Sequence, residues 1–266
     1  MILNFKYNFL KPFKVKKLLR LGRKFDGGYL VCSNALKQCE NLITLGVGDD
    51  ISFEIDFDKK KNSKIIQLYD HTVNNALFLR IIVKYFRRLI TFRTSMNNLT
   101  YSISNYINFL RFINKENVTL NKYKVVKIIK HNNEINLRNI FQKIKNNKNL
   151  LKIDIEGSEY EIIDDIITYS SKIKMLIVEF HWINKRKKIF INSIKKLKKK
   201  FDIIHLHANN YKALKNTNDI FDVIEITMVN KKVNKFRKQF RVNFPIKKLD
   251  YECFPNNKKI IFSFKD

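Results

Sequence analysis

The run Leu150–Ile163, LLKIDIEGSEYEII, changes hydrophobic period in mid-course, and that change constrains the fold more than any other stretch of the chain. Leu150 to Ile155 is a short apolar run interrupted by Lys152 and, near its end, by Asp154, with the length of a buried strand. From Ser158 onward Ile162, Ile163, Ile166 and Ile167 recur on one face, as in an amphipathic helix. A strand running straight into a helix is half of a βαβ unit. The joint, Asp154-Ile155-Glu156-Gly157, therefore falls at the carboxyl edge of an open α/β sheet, where such sheets bind ligands. Glu156, Glu159 and Glu161 also suit the positive N-terminus of the following helix. Two carboxylates at a buried strand end, Asp154 and Glu156, are harder to explain without a ligand.

The rest of the chain repeats the alternation. Leu42–Val47 reads as a strand that enters Gly46-Val47-Gly48-Asp49-Asp50 and then a helix, the first βα unit of a nucleotide-binding sheet. The chain has only 6 glycines, and they fall in three segments (Gly22/Gly27/Gly28, Gly46/Gly48, Gly157), candidate turns of a single site. A dinucleotide fingerprint would need a third glycine near Asp50, and carboxylates there repel a pyrophosphate. They accord with a ligand carrying positive charge. The second strand, Lys64–Tyr69, ends in Asp70, roughly twenty positions after the turn, where an acid accepts hydrogen bonds from ribose hydroxyls; capping the next helix is its other use. A third strand is expected within Val118–Ile129 and a helix over Leu137–Ile144. Strand Met175–Phe180 ends in Glu179 and His181, and an amphipathic helix covers Lys185–Lys200. Strand Asp202–Ala208 carries His205 and His207 on one side, followed by strand Val223–Val229. The alternation predicts right-handed crossovers and a mainly parallel sheet, with the last strands able to run antiparallel. The tail around Phe244-Pro245 and the apolar run from Ile260 are expected to close an edge.

Length places residues 1–266 in a single domain, with 1–40 a basic arm and turn and 74–117 a helical insertion or lid. Asp26-Gly27-Gly28 marks a turn that serves either a flap over the site or a plain hairpin. In the insertion, Ala76–Phe92 reads as a helix with Arg80, Lys84, Arg87 and Arg88 on one face of an otherwise apolar element. It fits a lid, a contact with an anionic membrane surface, a partner site or packing on the sheet. The net charge of +29 comes from 53 Lys and Arg against 24 Asp and Glu. Most of the cations are lysine, and residues with A- and T-rich codons are in excess throughout, so genome composition explains much of the charge. Three cysteines without metal-site spacing indicate a reduced, cytoplasmic chain. The N-terminus lacks the pattern of a signal peptide. No run reaches the ~18 uncharged apolar residues of a membrane span, which leaves at most a peripheral membrane location.

The sequence resembles the FkbM-family methyltransferases. LKIDIEGSEYEII matches that family's Lys-Ile-Asp-x-Glu-Gly-x-Glu signature, and LGVGDD, IIQLYD and VEFH follow in the expected order over Leu42–Val229. It departs at the glycine turn, where Thr44 or Leu45 replaces a common acid and Asp50 a common glycine. The resemblance implies an α/β, Rossmann-like class I fold: a mainly parallel seven-stranded sheet, helices on both faces and a helical insertion after strand 2. It implies S-adenosylmethionine as cofactor, bound by Gly46, Gly48, Asp70, Asp154 and Glu156, and O-methylation of a hydroxyl on a sugar, glycan or glycolipid. A hydroxyl is a poor nucleophile at neutral pH, so a base is expected: His181 and Asp154 first, His207 next. A sharper version has Asp154, His181 and His207 bind a divalent metal that lowers the hydroxyl's pKa. The rival readings are an RNA methyltransferase, or a non-catalytic basic adaptor for nucleic acid or membrane on the same fold. No RNA-recognition motif is present, and no specific nucleic acid is expected. His71 and His131 are left without a role.

Overall fold

The computed structural model describes residues 2–3, 5–211, 220–233 and 243–264. Seven strands form the central sheet: β1 Asn41–Leu45, β2 Ile65–Tyr69, β3 Val118–Asn121, β4 Asn149–Ile153, β5 Ile173–Phe180, β6 Phe201–Ala208 and β7 Ile224–Asn230. Their order is β3-β2-β1-β4-β5-β7-β6. Only β7 runs against the others, pairing antiparallel with both β5 and β6, so β6 again points the same way as β5. The chain leaves β1 toward β3 and returns on the far side of β1 through β4. The strand order thus reverses between β1 and β4, and a crevice opens above their carboxyl ends.

Burial on both faces explains the near-continuous apolar strands. Leu45, Ile153, Val178 and Leu176 face helices α5 (Ile163–Thr168) and α6 (Lys187–Leu197) through Ile163, Ile166, Phe190 and Ile194. On the other face Leu42, Ile66, Leu150 and Ile177 meet Phe53 and Phe57 of α1 (Ser52–Lys61), together with Phe78 and Phe109 of the insertion. Lys152, the one cation within β4, is buried and paired with Glu54 of α1 at 3.3 Å, and Glu54 also accepts from Thr44 at 3.0 Å. The position where an acid is common in the glycine turn is thus filled by a threonine that bonds to one.

Several expectations shift. The insertion consists of two helices, α2 (Asn75–Ile90) and α3 (Met96–Ile113), clasped by Phe78 against Tyr106 and Phe109 at ring separations of 5.2 and 4.4 Å. Strand β3 stops at Asn121, because Lys124–Val125 turns aside to pair with Glu134–Ile135. The arm contains a hairpin, Leu18–Leu21 with Tyr29–Cys32. The tail does not extend the main sheet: Ser263–Phe264 pairs with Ile2–Leu3, and Phe244 bridges Phe262. At the free side of β6, the Phe13 amide donates to the Ile203 carbonyl at 2.7 Å. The three cysteines are free and buried, and among the described residues no helix is long and apolar enough to cross a membrane.

Candidate active site

Gly46 ends β1 at φ +80°, and a Cβ there would lie 1.6 Å from the Asp154 carbonyl oxygen. The close approach of β1 and β4 at the reversal point therefore requires glycine. The Asp154 amide donates to the Leu45 carbonyl at 2.8 Å and closes the same junction. Asp70, at the end of β2, fixes the turn from the other side. Its Oδ2 accepts from the Val47 and Gly48 amides at 2.8 and 3.0 Å, and its Oδ1 from the Thr72 amide and hydroxyl at 2.7 and 2.6 Å. Burial opposes ionisation, but these donors outweigh it and hold the carboxyl below its usual range. Asp50, in place of the third glycine, turns away from the cleft: it accepts from the Ser52 amide at 2.7 Å and pairs with Arg23 of the hairpin at 2.6 Å.

Above this junction lies an open cleft of about 180 Å³ lined by Gly46, Tyr69, Asp70, Asp154, Glu156 and Val125, among others. A Cβ on Gly48 would meet nothing within 4 Å, so the turn offers bare backbone to a ligand. These residues fit S-adenosylmethionine, the cofactor that the resemblance implies: a close-approach glycine turn, an acid at the end of β2, and carboxylates for a sulfonium charge. The carboxylate of Asp70 already accepts four hydrogen bonds, the full capacity of its lone pairs. Its observed work is to position the turn.

The DIEG joint is built around His181. Glu159, fully buried, accepts from the Gly157 amide at 2.7 Å and the His181 amide at 2.6 Å, and its Oε1 lies 3.3 Å from His181 Nδ1. The residues after Ser158 consequently begin as a 3₁₀ turn, Glu159–Ile162, before α5. Gly157, at φ +96°, lies under Trp182, whose ring would be 2.4 Å from any Cβ; Arg186 stacks over that ring and donates to the Gly157 carbonyl at 2.6 Å. Glu156 adopts φ +51°, a left-handed conformation that costs about 1 kcal/mol or more for a non-glycine residue.

His181 Nε2 is 3.7 Å from Asp154 Oδ1, 3.6 Å from Glu156 Oε2 and 3.9 Å from Glu179 Oε1. Burial alone would lower the imidazolium pKa. The Glu159 hydrogen bond and the charges of Glu179 and Asp154 override that and raise it to about 9. At that pKa, and with no metal bound, the imidazole is protonated near neutral pH and Nε2 carries a proton among the three carboxylates. Burial raises Asp154 to about 6, opposed by Lys152 and His181, and raises Glu179 to about 8 with Asp154 adding to the shift. Asp154 is the group whose proton affinity suits a base near pH 7.

His207 is not part of this group. It sits on β6, two strands from Glu179, and its neighbours are Glu225, Cys253 and Asp250. The three-residue set Asp154, His181 and His207 is not brought together; Asp154 and His181 are joined by Glu156 instead. His205 is engaged by Asp250 at 2.9 Å. Glu225, Asp250 and Cys253 carry no site signal in the sequence and lie where antiparallel β7 and the tail bring them. Glu159 is the last acid of the Lys-Ile-Asp-x-Glu-Gly-x-Glu signature, where its position alone suggests a helix-end acid and not a partner for His181.

The profile of the FkbM methyltransferase domain matches residues 14–213. A comparison with curated proteins gives no match. Among solved structures, precorrin-6y C5,15-methyltransferase from Geobacter metallireducens GS-15 is similar at 14% identity and a TM-score of 0.36, over 74% of this chain and 86% of its own. TrmK of M. capricolum, solved with S-adenosylhomocysteine, is similar at 12% identity and a TM-score of 0.36, over 74% and 66% of the two chains. The fold rests on the observed strand order and the family on the long profile match. On these grounds the chain belongs to the FkbM methyltransferase family and is an S-adenosylmethionine-dependent methyltransferase.

Proposed function

We propose that the chain methylates a hydroxyl of a sugar, presented on a glycan or glycolipid. The observation that carries this reading is the placement of Asp154, raised to about 6 by burial, 3.7 Å from a His181 raised to about 9, beside the cleft. A hydroxyl needs its proton removed as it attacks, and a carboxylate of that pKa is mostly ionised at pH 7 yet basic enough to help.

Gly46 and Gly48 would admit the methionine end of the cofactor, with Asp70 holding their turn and the Tyr69–Thr72 corner and Val125 lining the nucleoside end. The bound cofactor supplies an electrophilic methyl group on a sulfonium. Asp154 accepts the acceptor hydroxyl's proton. His181, oriented by Glu159 through Nδ1, positions Asp154 and Glu156 and limits their mutual repulsion. Glu156 adds negative charge that favours a cationic ligand, while Glu179, raised to about 8, is mostly protonated at neutral pH.

The insertion supports an acceptor held in a membrane. Leu79, Val83, Phe86 and Ile90 form a stripe on α2 that is exposed to solvent, and Phe92 at its end is 96% exposed. Arg80, Lys84 and Arg87 run along one side of the stripe, Arg88 lies farther round the helix, and all four are exposed. An apolar stripe with a basic border is complementary to an anionic bilayer. The experiment is transfer from methyl-labelled S-adenosylmethionine to soluble saccharides, to vesicles containing glycolipids and to RNA, followed by acid hydrolysis. A methyl ether on a released monosaccharide is expected, and label confined to RNA would overturn the reading.

A further inference from the structure

The second cluster of titratable groups lies outside the cleft, where the tail crosses the carboxyl ends of β6 and β7. His207 and Glu225 are directly opposite each other in the β6–β7 ladder, and the tail delivers Cys253 between them. Cys253 Sγ is 3.5 Å from His207 Nε2 and 3.4 Å from Glu225 Oε1. All three residues are buried, and their three ligand atoms lie within 4.8 Å of one another.

The two distances from sulfur are those expected at a tetrahedral zinc centre. With Zn–S of about 2.3 Å and Zn–N or Zn–O of about 2.0–2.1 Å, tetrahedral angles put sulfur about 3.6 Å from its nitrogen and oxygen neighbours. The surroundings also match. His207 Nδ1 is buried without a hydrogen-bond partner and stands 3.6 Å from Asp250 Oδ1. A small rotation of the ring would let it donate there while Nε2 binds a metal, the carboxylate–histidine arrangement common at zinc sites. Asp250 is held for that purpose by His205 Nε2 at 2.9 Å and the Ile246 amide at 2.8 Å.

One thiolate and one carboxylate neutralise a divalent ion, and the thiol and carboxylic protons leave to solvent as it binds. Arg20, whose guanidinium feels Glu225, Asp250 and Cys253, then balances Asp250.

We infer that His207, Glu225 and Cys253 bind a zinc-class divalent ion, with Asp250 orienting His207. The thiolate selects against magnesium and calcium. The site pins the tail to β6 and β7, one strand from Glu179, and is independent of the methyl-transfer reading.

The test is a titration of the EDTA-stripped full chain with Co²⁺, followed by displacement with Zn²⁺. Saturable uptake of a single ion per chain is expected, with a thiolate-to-cobalt absorption band in the near ultraviolet. Cys253→Ser should abolish the band, and His207→Gln and Glu225→Gln should each weaken binding. Asp250→Asn should weaken it by about 10- to 100-fold, and His181→Gln should leave it unchanged. A folded wild-type chain without the band, or a band that survives Cys253→Ser, would overturn the site.

Discussion

His181 shows how a residue can be located by sequence while its charge state is not. Its place at the end of β5 follows from the VEFH pattern, but its protonation depends on Glu159, buried beside it. The folded-state pKa of about 9 lies above the ordinary 6.5. The stability gained is therefore fully present below about pH 6.5 and disappears as pH rises through 9, with an upper bound of about 3 kcal/mol. Denaturant unfolding of wild type and His181→Gln should show a gap that is widest near pH 6 and closes by pH 10. A gap independent of pH would mean His181 is neutral. The same substitution should raise the Asp154 pKa above 6, since the imidazolium holds it down. Asp70 presents a second case. Its spacing indicates a ribose contact, yet its oxygens are spent on the Val47, Gly48 and Thr72 donors, which no spacing rule reveals. Asp70→Ala removes those acceptors and loosens the turn, and calorimetric titration should find S-adenosylmethionine binding weaker by about tenfold or more. Unchanged affinity would remove the turn from the cofactor site.

At the scale of elements, period carried most of the reading. The seven strands and the helices between them fall within a few residues of their apolar runs, because each is buried on a face that the run itself encodes. What periodicity cannot give is partnership. Helix α2 has the pattern of an element packed on a sheet, but only Phe78 is buried. The stripe from Leu79 to Ile90 was indistinguishable in sequence from a core face, since both are made of the same residues. Its exposure leads to a measurable expectation. Co-sedimentation with vesicles containing phosphatidylglycerol should retain the chain, and vesicles of phosphatidylcholine should retain much less. Each basic side chain near such a surface contributes about 1 kcal/mol, so Arg80→Ala with Arg87→Ala should weaken binding by roughly 30-fold. Phe86→Asp with Phe92→Asp should weaken it through lost burial, with less effect on the salt dependence. Equal retention on both vesicle types would assign the stripe to another contact.

Across the whole molecule, legibility follows distance along the chain. The junction of β1, β2 and β4 is made by segments whose own motifs announce them, and the family signature spans it. The far side of the sheet is assembled from pieces that carry less signal: the hairpin at Leu18–Cys32, marked only by its Asp26-Gly27-Gly28 turn, antiparallel β7, and a tail that crosses from Phe244 to Phe264. Their meeting point is Asp250. It bonds to His205 and faces His207 on β6, and accepts from the Ile246 amide within the tail. Arg20 of the hairpin donates to the neighbouring Leu249 carbonyl at 3.4 Å. This carboxylate ties the tail to the edge strand, and removing it leaves the His205 imidazole and the Ile246 amide without their acceptor. Breaking a buried pair on one side costs about 3–5 kcal/mol. In EDTA, so that no metal contributes, Asp250→Ala should lower the denaturant midpoint by an amount of that order with little change in slope. A loss below about 1 kcal/mol, the scale of an exposed ion pair, would show that the tail is held by its aromatic packing of Phe244 on Phe262 and that Asp250 serves the site alone.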